Sequence, residues 1–270
     1  LVSFVRPEDG ENRLQSAAEA GRGYLRELTS GSQRDGVWFA LVATFLALVG
    51  VRDLISGPLP VIRELFDPGD GPGRLLSEWW TGWRAAGLGE SSLPPAVVPG
   101  LGLAGAVLGG SVGLARRLLV LGPLAVGALG AWKLFLRAGS TRVRGAALVV
   151  YALNPVVLNA VAEGRLGAIV TYGAAPWVLR RTARAAGVEP FADPLEPRPR
   201  PLRAAAGTGL LLFAVASVTP LGAGLLVAAL AVLALAPAIA GDRPGAVRML
   251  GSAALAAVCA AVPSLPWLVA

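Results

Sequence analysis

The sequence predicts an all-α, polytopic membrane protein, a helical bundle with a long first extracytoplasmic loop. Three observations carry that expectation. The 270 residues are 54% hydrophobic and only 15% charged, against the roughly 25% charged residues of an ordinary soluble domain. Uncharged runs that approach the roughly 20 residues a spanning helix needs recur along the chain. The arginines fall in groups between those runs, the pattern of positive-inside topology. A net charge of +7 therefore does not predict a nucleic-acid partner, because the single basic stripe on which such binding rests is missing. Of the 24 basic residues only Lys133 is lysine, a usage expected of a GC-rich bacterial genome.

Residues 1–36 are polar, with arginines and acids interspersed, and read as a cytoplasmic linker. No Met precedes Leu1 and Met249 is the only methionine, so the segment reads as part of a longer polypeptide with a further domain upstream. From residue 37 to 270 the chain reads as a multi-spanning membrane domain. Val37–Val51 is uncharged and is expected to be the first membrane helix. Ser91–Ala115 is uncharged but carries six glycines between Gly100 and Gly113, a poor composition for a straight lipid-facing helix; it is expected to be re-entrant or partly inserted. Leu118–Trp132 follows the pair Arg116 and Arg117. Gly145–Ala162 and Leu166–Leu179 come next, and Pro155 should kink the first of these by freeing the carbonyl of Tyr151. Ala204–Gly241 is long enough for two helices, with the turn at Thr219-Pro220-Leu221-Gly222. Met249–Ala270 is the last run, giving seven or eight apolar elements.

The orientation follows from the arginines. With Arg137–Arg144, Arg180–Arg203 and Arg243–Arg248 placed in the cytoplasm, the turns at Glu163–Arg165 and Pro220 and the loop 52–95 share the outer side. Gly187–Arg203 holds five prolines and reads as a Pro/Arg-rich cytoplasmic linker. The localisation this predicts is a multi-pass protein of the plasma membrane.

Candidate chemistry concentrates in residues 52–95, the only long stretch that mixes acids, arginines and tryptophans. Carboxylates can accept hydroxyl protons, arginines can hold phosphate and indoles can cover a sugar face, so the mixture suits a polyhydroxyl ligand. Asp53 directly follows the first helix; it is either a base whose basicity is raised by partial desolvation or an acid that ends a helix beside Arg52. Asp67 and Asp70, in a Gly/Pro-rich loop, either cradle a divalent cation or form tight turns. Trp79 and Trp80 suit interfacial anchoring, whereas Trp83, Arg84 and Glu90 are candidates for ligand contact. Asn159, Glu163 and Arg165 lie at the end of an apolar run, where they either face the loop 52–95 and a substrate or form an ordinary interfacial turn.

The chain has no His, and Cys259 is its only cysteine. Imidazole catalysis, His-ligated metal and disulfides within this segment are excluded. No GxGxxG after a strand, GxxxxGK or GxSxG is present, which leaves soluble nucleotide-binding and hydrolase readings without support.

Trp83–Glu90 (Trp-Arg-Ala-Ala-Gly-Leu-Gly-Glu), Leu121–Trp132, Tyr151–Pro155, Ala162–Gly167 and Ala174–Trp177, in this order after a first helix and an acidic loop, resemble large actinobacterial membrane proteins. They look like the membrane part of family 2 glycosyltransferases, in which a cytoplasmic transferase domain precedes a multi-spanning region. That region is in turn similar to GT-C-type glycosyltransferases, including arabinofuranosyltransferases, whose first outer loop carries the catalytic acid. The resemblance covers about residues 37–180, and the paired Asp-Glu signature usual in that loop is absent. It implies a GT-C-like bundle, transfer from a polyprenyl-phosphate-linked sugar to a glycan acceptor, and a catalytic role for Asp53. The alternative from another class is a non-catalytic scaffold or a transporter of the lipid-linked glycan.

Overall fold

The computed structural model describes residues 38, 42, 45, 50, 52, 57, 59, 61, 62, 64, 65, 71–84, 90–91, 97–135, 140–188, 191 and 201–269. The linker 1–36, Asp53, Asp67, Asp70 and most of the proline-rich linker lie outside them. Of the expected first helix, Trp38, Val42, Phe45 and Gly50 are described, each helical and exposed.

The described chain is almost wholly helical. In order it runs α1 (Pro72–Thr81), β1 (Trp83–Arg84), β2 (Glu90–Ser91), α2 (Val97–Val107), α3 (Val112–Leu134), α4 (Thr141–Ala152), α5 (Pro155–Ala162), α6 (Leu166–Ala186), α7 (Pro201–Ala216), α8 (Pro220–Leu233), α9 (Leu235–Ile239) and α10 (Arg243–Val269). Among the described residues four spans are long and apolar enough to cross a membrane: α3, α4 with α5, α8 with α9, and Arg243–Val262 of α10. Their outward faces keep large apolar side chains uncovered, Val150, Leu225 and Val258 among them, as a lipid-facing surface requires and a soluble monomer avoids.

Helix boundaries depart from the sequence expectation where a charge was read as an end. Helix α3 begins six residues before Leu118, with Ser111 Oγ accepting from Leu114 N at 3.2 Å, so Arg116 and Arg117 sit inside it. Helix α10 likewise starts at Arg243 instead of Met249, because Asp242 Oδ1 accepts from Gly245 N at 2.8 Å and caps it. The linker ends before Pro201, which opens α7 and places Arg203 in a helix. The loop 52–95 is not all loop, since it contains α1 and a two-residue antiparallel ladder. The glycine-rich run is divided between the 11-residue α2, about 16 Å long and short of the roughly 30 Å of a bilayer core, and the first residues of α3.

Other expectations reappear nearby, the turn expected at 219–222 lying at residues 217–219 because Pro220 already opens α8. Thr219 caps α8, its Oγ1 accepting from Gly222 N at 3.3 Å, with Pro220 as the first helical residue. The chain breaks between α4 and α5, where Asn154 Oδ1 accepts from Val156 N at 2.9 Å ahead of Pro155. The carbonyl of Tyr151 takes the hydroxyl of Tyr172 at 2.9 Å. Pro176 does the same to α6, because its missing N–H deprives the Tyr172 carbonyl of its helical donor. Tyr151 donates its hydroxyl to that carbonyl at 2.6 Å. Two prolines thus create two acceptors, and a pair of stacked tyrosines, with ring centroids 4.3 Å apart, satisfies both.

Helices α3 and α6 run parallel and interlock through small residues. A Cβ on Gly127 would come 2.7 Å from the Tyr172 ring, and one on Gly173 would come 2.6 Å from Pro123. Such close approach is how helices associate where burial from water supplies no drive. Trp177 Nε1 donates to Val126 O at 2.9 Å, and Lys133 Nζ lies 5.2 Å from the Trp177 ring. With Tyr151 opposite Tyr172 and Ala160 beside Leu166, α4 and α5 return antiparallel to α6. The bundle therefore has two distinct ends. One gathers the starts of α3, α6 and α8; the other gathers Arg142 and Arg144 of α4, the arginines that close α6, and Arg203, Arg243 and Arg248. A core of Val178, Leu212, Val215, Leu230, Met249 and Ala256 joins α6, α7, α8 and α10.

Candidate functional site

The first of the two ends carries the polar groups. Helix α5 stops at Ala162, and Gly164 takes φ +69°, a left-handed conformation that reverses the chain into α6. Asn159 Nδ2 donates to Glu163 Oε1 at 3.1 Å, one helical turn apart, and Arg165 Nη2 approaches Glu163 Oε2 at 2.6 Å. Three of the sequence candidates are thereby brought together, with Glu163 in the middle. The Arg165 side chain is 55% exposed, so the pair is screened and stabilises the fold by at most about 1 kcal/mol.

A segment from the loop 52–95 lies over this turn. A Cβ on Gly164 would come 2.5 Å from the carbonyl oxygen of Ile62, so only glycine admits the contact. Glu64 Oε2 accepts from Gly167 N at 2.7 Å. Helix α6 needs that acceptor, since its N-cap Arg165 supplies none, and a carboxylate is favoured at the positive end of a helix. From the other side Arg116 Nη2 donates to Leu65 O at 2.9 Å and Arg117 Nη2 to Gly57 O at 3.2 Å. Leu65 itself is buried among Val120, Ala160, Leu166 and Ile169. Gly57, Ile62, Glu64 and Leu65 are therefore held between the first turns of α3 and the α5–α6 turn. The α7–α8 turn joins the same end, since a Cβ on Gly167 would come 2.8 Å from Thr219 Cβ.

Trp83, Arg84 and Glu90 meet in the short ladder, where Arg84 is the backbone partner of Glu90 and Trp83 that of Ser91. This ladder follows α1, whose Leu75 packs with Val112 and Ala115 of α3, a turn or two before the Val120 that meets Leu65. Helix α1, which leads into the ladder, is thus seated on the N-terminal half of α3. Asp53, Asp67 and Asp70 lie outside the described residues, and among those described no three metal-ligating side chains cluster.

Glu64, Arg116 and Arg117 were not singled out by sequence reasoning as site residues. The available signal was the charge itself, because a guanidinium inside a spanning helix must find partners or leave the apolar region. A cavity of about 570 Å³ lies elsewhere, at the arginine-rich end, and has no part in this cluster. No protein-family model, no curated protein and no solved structure matches the chain. What fold and site define together is a class, a helical protein with, among its described residues, four helices long and apolar enough to cross a membrane and a clamped polar cluster at one end of its bundle.

Proposed function

We propose that the chain is the membrane part of a cell-envelope glycosyltransferase acting on polyprenyl-phosphate-linked sugars, with a GT-C-like architecture and its site at the end that carries Asn159, Glu163 and Arg165. The observation that supports it best is the convergence there of Gly57, Ile62, Glu64 and Leu65 with that polar turn. In this reading the arginine-rich end faces the cytoplasm, the polar end faces outward, and the membrane is the plasma membrane.

Asp53 serves as the base. It precedes Gly57 by four residues, which span at most about 14 Å, and Arg117 holds the Gly57 carbonyl. The acceptor hydroxyl loses its proton to Asp53 as its oxygen attacks the anomeric carbon, and the bond from that carbon to the lipid phosphate breaks. The departing phosphate carries the negative charge, which Arg165 or Arg84 balances. Trp83 and Glu90 contact the sugar, Asn159 and Glu163 orient Arg165, and Asp67 with Asp70 would hold a divalent cation if one takes part.

The competing reading, a non-catalytic scaffold or a transporter for the lipid-linked glycan, draws on a different fact. Glu64, Glu163, Arg116 and Arg117 are all engaged within the protein, as members of a structural clamp are. Sugar transfer by the protein in proteoliposomes with a polyprenyl-phosphate donor separates the two, because only the first reading predicts turnover that Asp53→Asn removes.

A further inference from the structure

The span formed by α4 and α5, Arg142–Ala162, is broken at its middle. Three backbone donors that would carry a helix through the break turn to other acceptors. Val156 N donates to Asn154 Oδ1 at 2.9 Å, Val157 N to Asn154 O at 3.1 Å and Asn154 N to Tyr151 O at 3.3 Å. In a continuous helix those donors would serve the carbonyls of Ala152, Leu153 and Val150, which are left without them. The Tyr151 carbonyl receives the Tyr172 hydroxyl instead. The other three gain no such replacement among the described residues.

Asn154 carries the opposite deficit. Its Oδ1 is committed to Val156 N, which fixes the orientation of the amide and leaves Nδ2, with its two N–H groups, without an acceptor among the described residues. Val150 and Val156, on either side of the break, are 73% and 71% exposed, so the break lies on an uncovered face of the bundle. Lipid tails offer neither donors nor acceptors, and a polar group left open at mid-membrane costs free energy until a partner reaches it. A cation would satisfy the carbonyls and leave the amide open; an anion would do the reverse. A second face of the same kind, related by a twofold axis, satisfies both at once.

We propose that the broken face of α4 and α5 is a homodimer interface, at which Asn154 Nδ2 of each copy donates to the open carbonyls of the other. Polar side chains that hydrogen-bond across spanning helices hold them together where burial from water supplies no drive. Val150 and Val156 pack around the twofold axis. Residues 145–162 carry no charge, so no like-charge pair opposes self-association along that length. The interface is defined by the break alone and does not rest on the glycosyltransferase reading.

The test uses the full chain with Cys259→Ala in phosphatidylcholine liposomes, with one cysteine at a time introduced as Val150→Cys, Val156→Cys, Leu225→Cys or Val258→Cys, and oxidation by copper phenanthroline. All four positions are exposed on the apolar surface, so chance collisions would link them alike. Disulfide-linked dimers should form at positions 150 and 156 and not at 225 or 258. Energy transfer between copies labelled through Ser140→Cys, followed as added lipid dilutes the protein, measures the strength of the dimer. Asn154→Ser keeps an oxygen to cap α5 and removes the amide, and the loss of two interhelical hydrogen bonds should raise the dissociation constant about eightfold. Equal linking at all four positions, linking only at 225 or 258, or no linking at all would overturn the proposal without any change to Asn154. So would an Asn154→Ser protein that dimerises as tightly as the unaltered one.

Discussion

Tyr151→Phe isolates one hydroxyl whose partner exists only because of a proline. In α6 the Tyr172 carbonyl has no helical donor, since residue 176 is proline, and the Tyr151 hydroxyl fills the vacancy at 2.6 Å. Removing it leaves a part-buried acceptor unsatisfied. Hydrogen bonds between spanning helices contribute about 0.6 kcal/mol on average and up to about 1.7 kcal/mol. The short distance and the lack of an alternative donor place this one near the upper figure, so Tyr151→Phe should destabilise by about 1.5 kcal/mol. In a Pro176→Ala background the new backbone N–H restores the helical bond, and the same change should cost close to nothing. Pro176 also packs against Gly130, and the double-mutant cycle subtracts that packing loss. Tyr172→Phe should cost less than Tyr151→Phe, because the Tyr151 carbonyl keeps a second donor, Asn154 N at 3.3 Å. Reversible unfolding in mixed micelles measures all of these stabilities. An equal cost for Tyr151→Phe in both backgrounds would refute the proline-carbonyl explanation.

Two further predictions concern the polar end. Gly164→Ala should cost at least about 1–2 kcal/mol from its left-handed backbone alone and should also displace residues 57–65, because its Cβ meets the Ile62 carbonyl; mixed-micelle unfolding gives the first, and faster proteolysis of the segment reads the second. Cysteines placed singly at Ser91, Ser140 and Ala192 of a Cys259→Ala protein should react with an impermeant thiol reagent from outside only at Ser91; labelling of Ser140 and Ala192 alone would reverse the orientation.

What the sequence disclosed and what it concealed divide along physical lines. The Tyr151 carbonyl freed by Pro155, the Thr219-Pro220 turn and the Glu163–Arg165 pair were legible because each rests on residues within a few positions of one another. The starts of α3 and α10 were not, because Arg116, Arg117 and Asp242 read as the ends of apolar runs. Each instead belongs to a helix or caps one, and the partners of the two arginines, Leu65 O and Gly57 O, lie 51 and 60 residues away. Glu64 was visible as one acid among several, but its task of capping α6 across 103 residues depends on packing that no local pattern encodes. Trp83, Arg84 and Glu90 are brought near one another by the backbone of a short ladder.

The most direct measurement of the proposed activity is sugar transfer from a polyprenyl-phosphate donor by the full-length protein in proteoliposomes, with any cytoplasmic transferase domain separately inactivated. The Asp53→Asn protein keeps the shape of the side chain and removes its basicity. Loss of a required base lowers rate by about a hundredfold to ten-thousandfold, so transfer should fall by that factor while expression and melting are unchanged. Retained transfer in Asp53→Asn would exclude that residue as the base, and absence of transfer from the unaltered protein would contradict catalysis by this membrane segment.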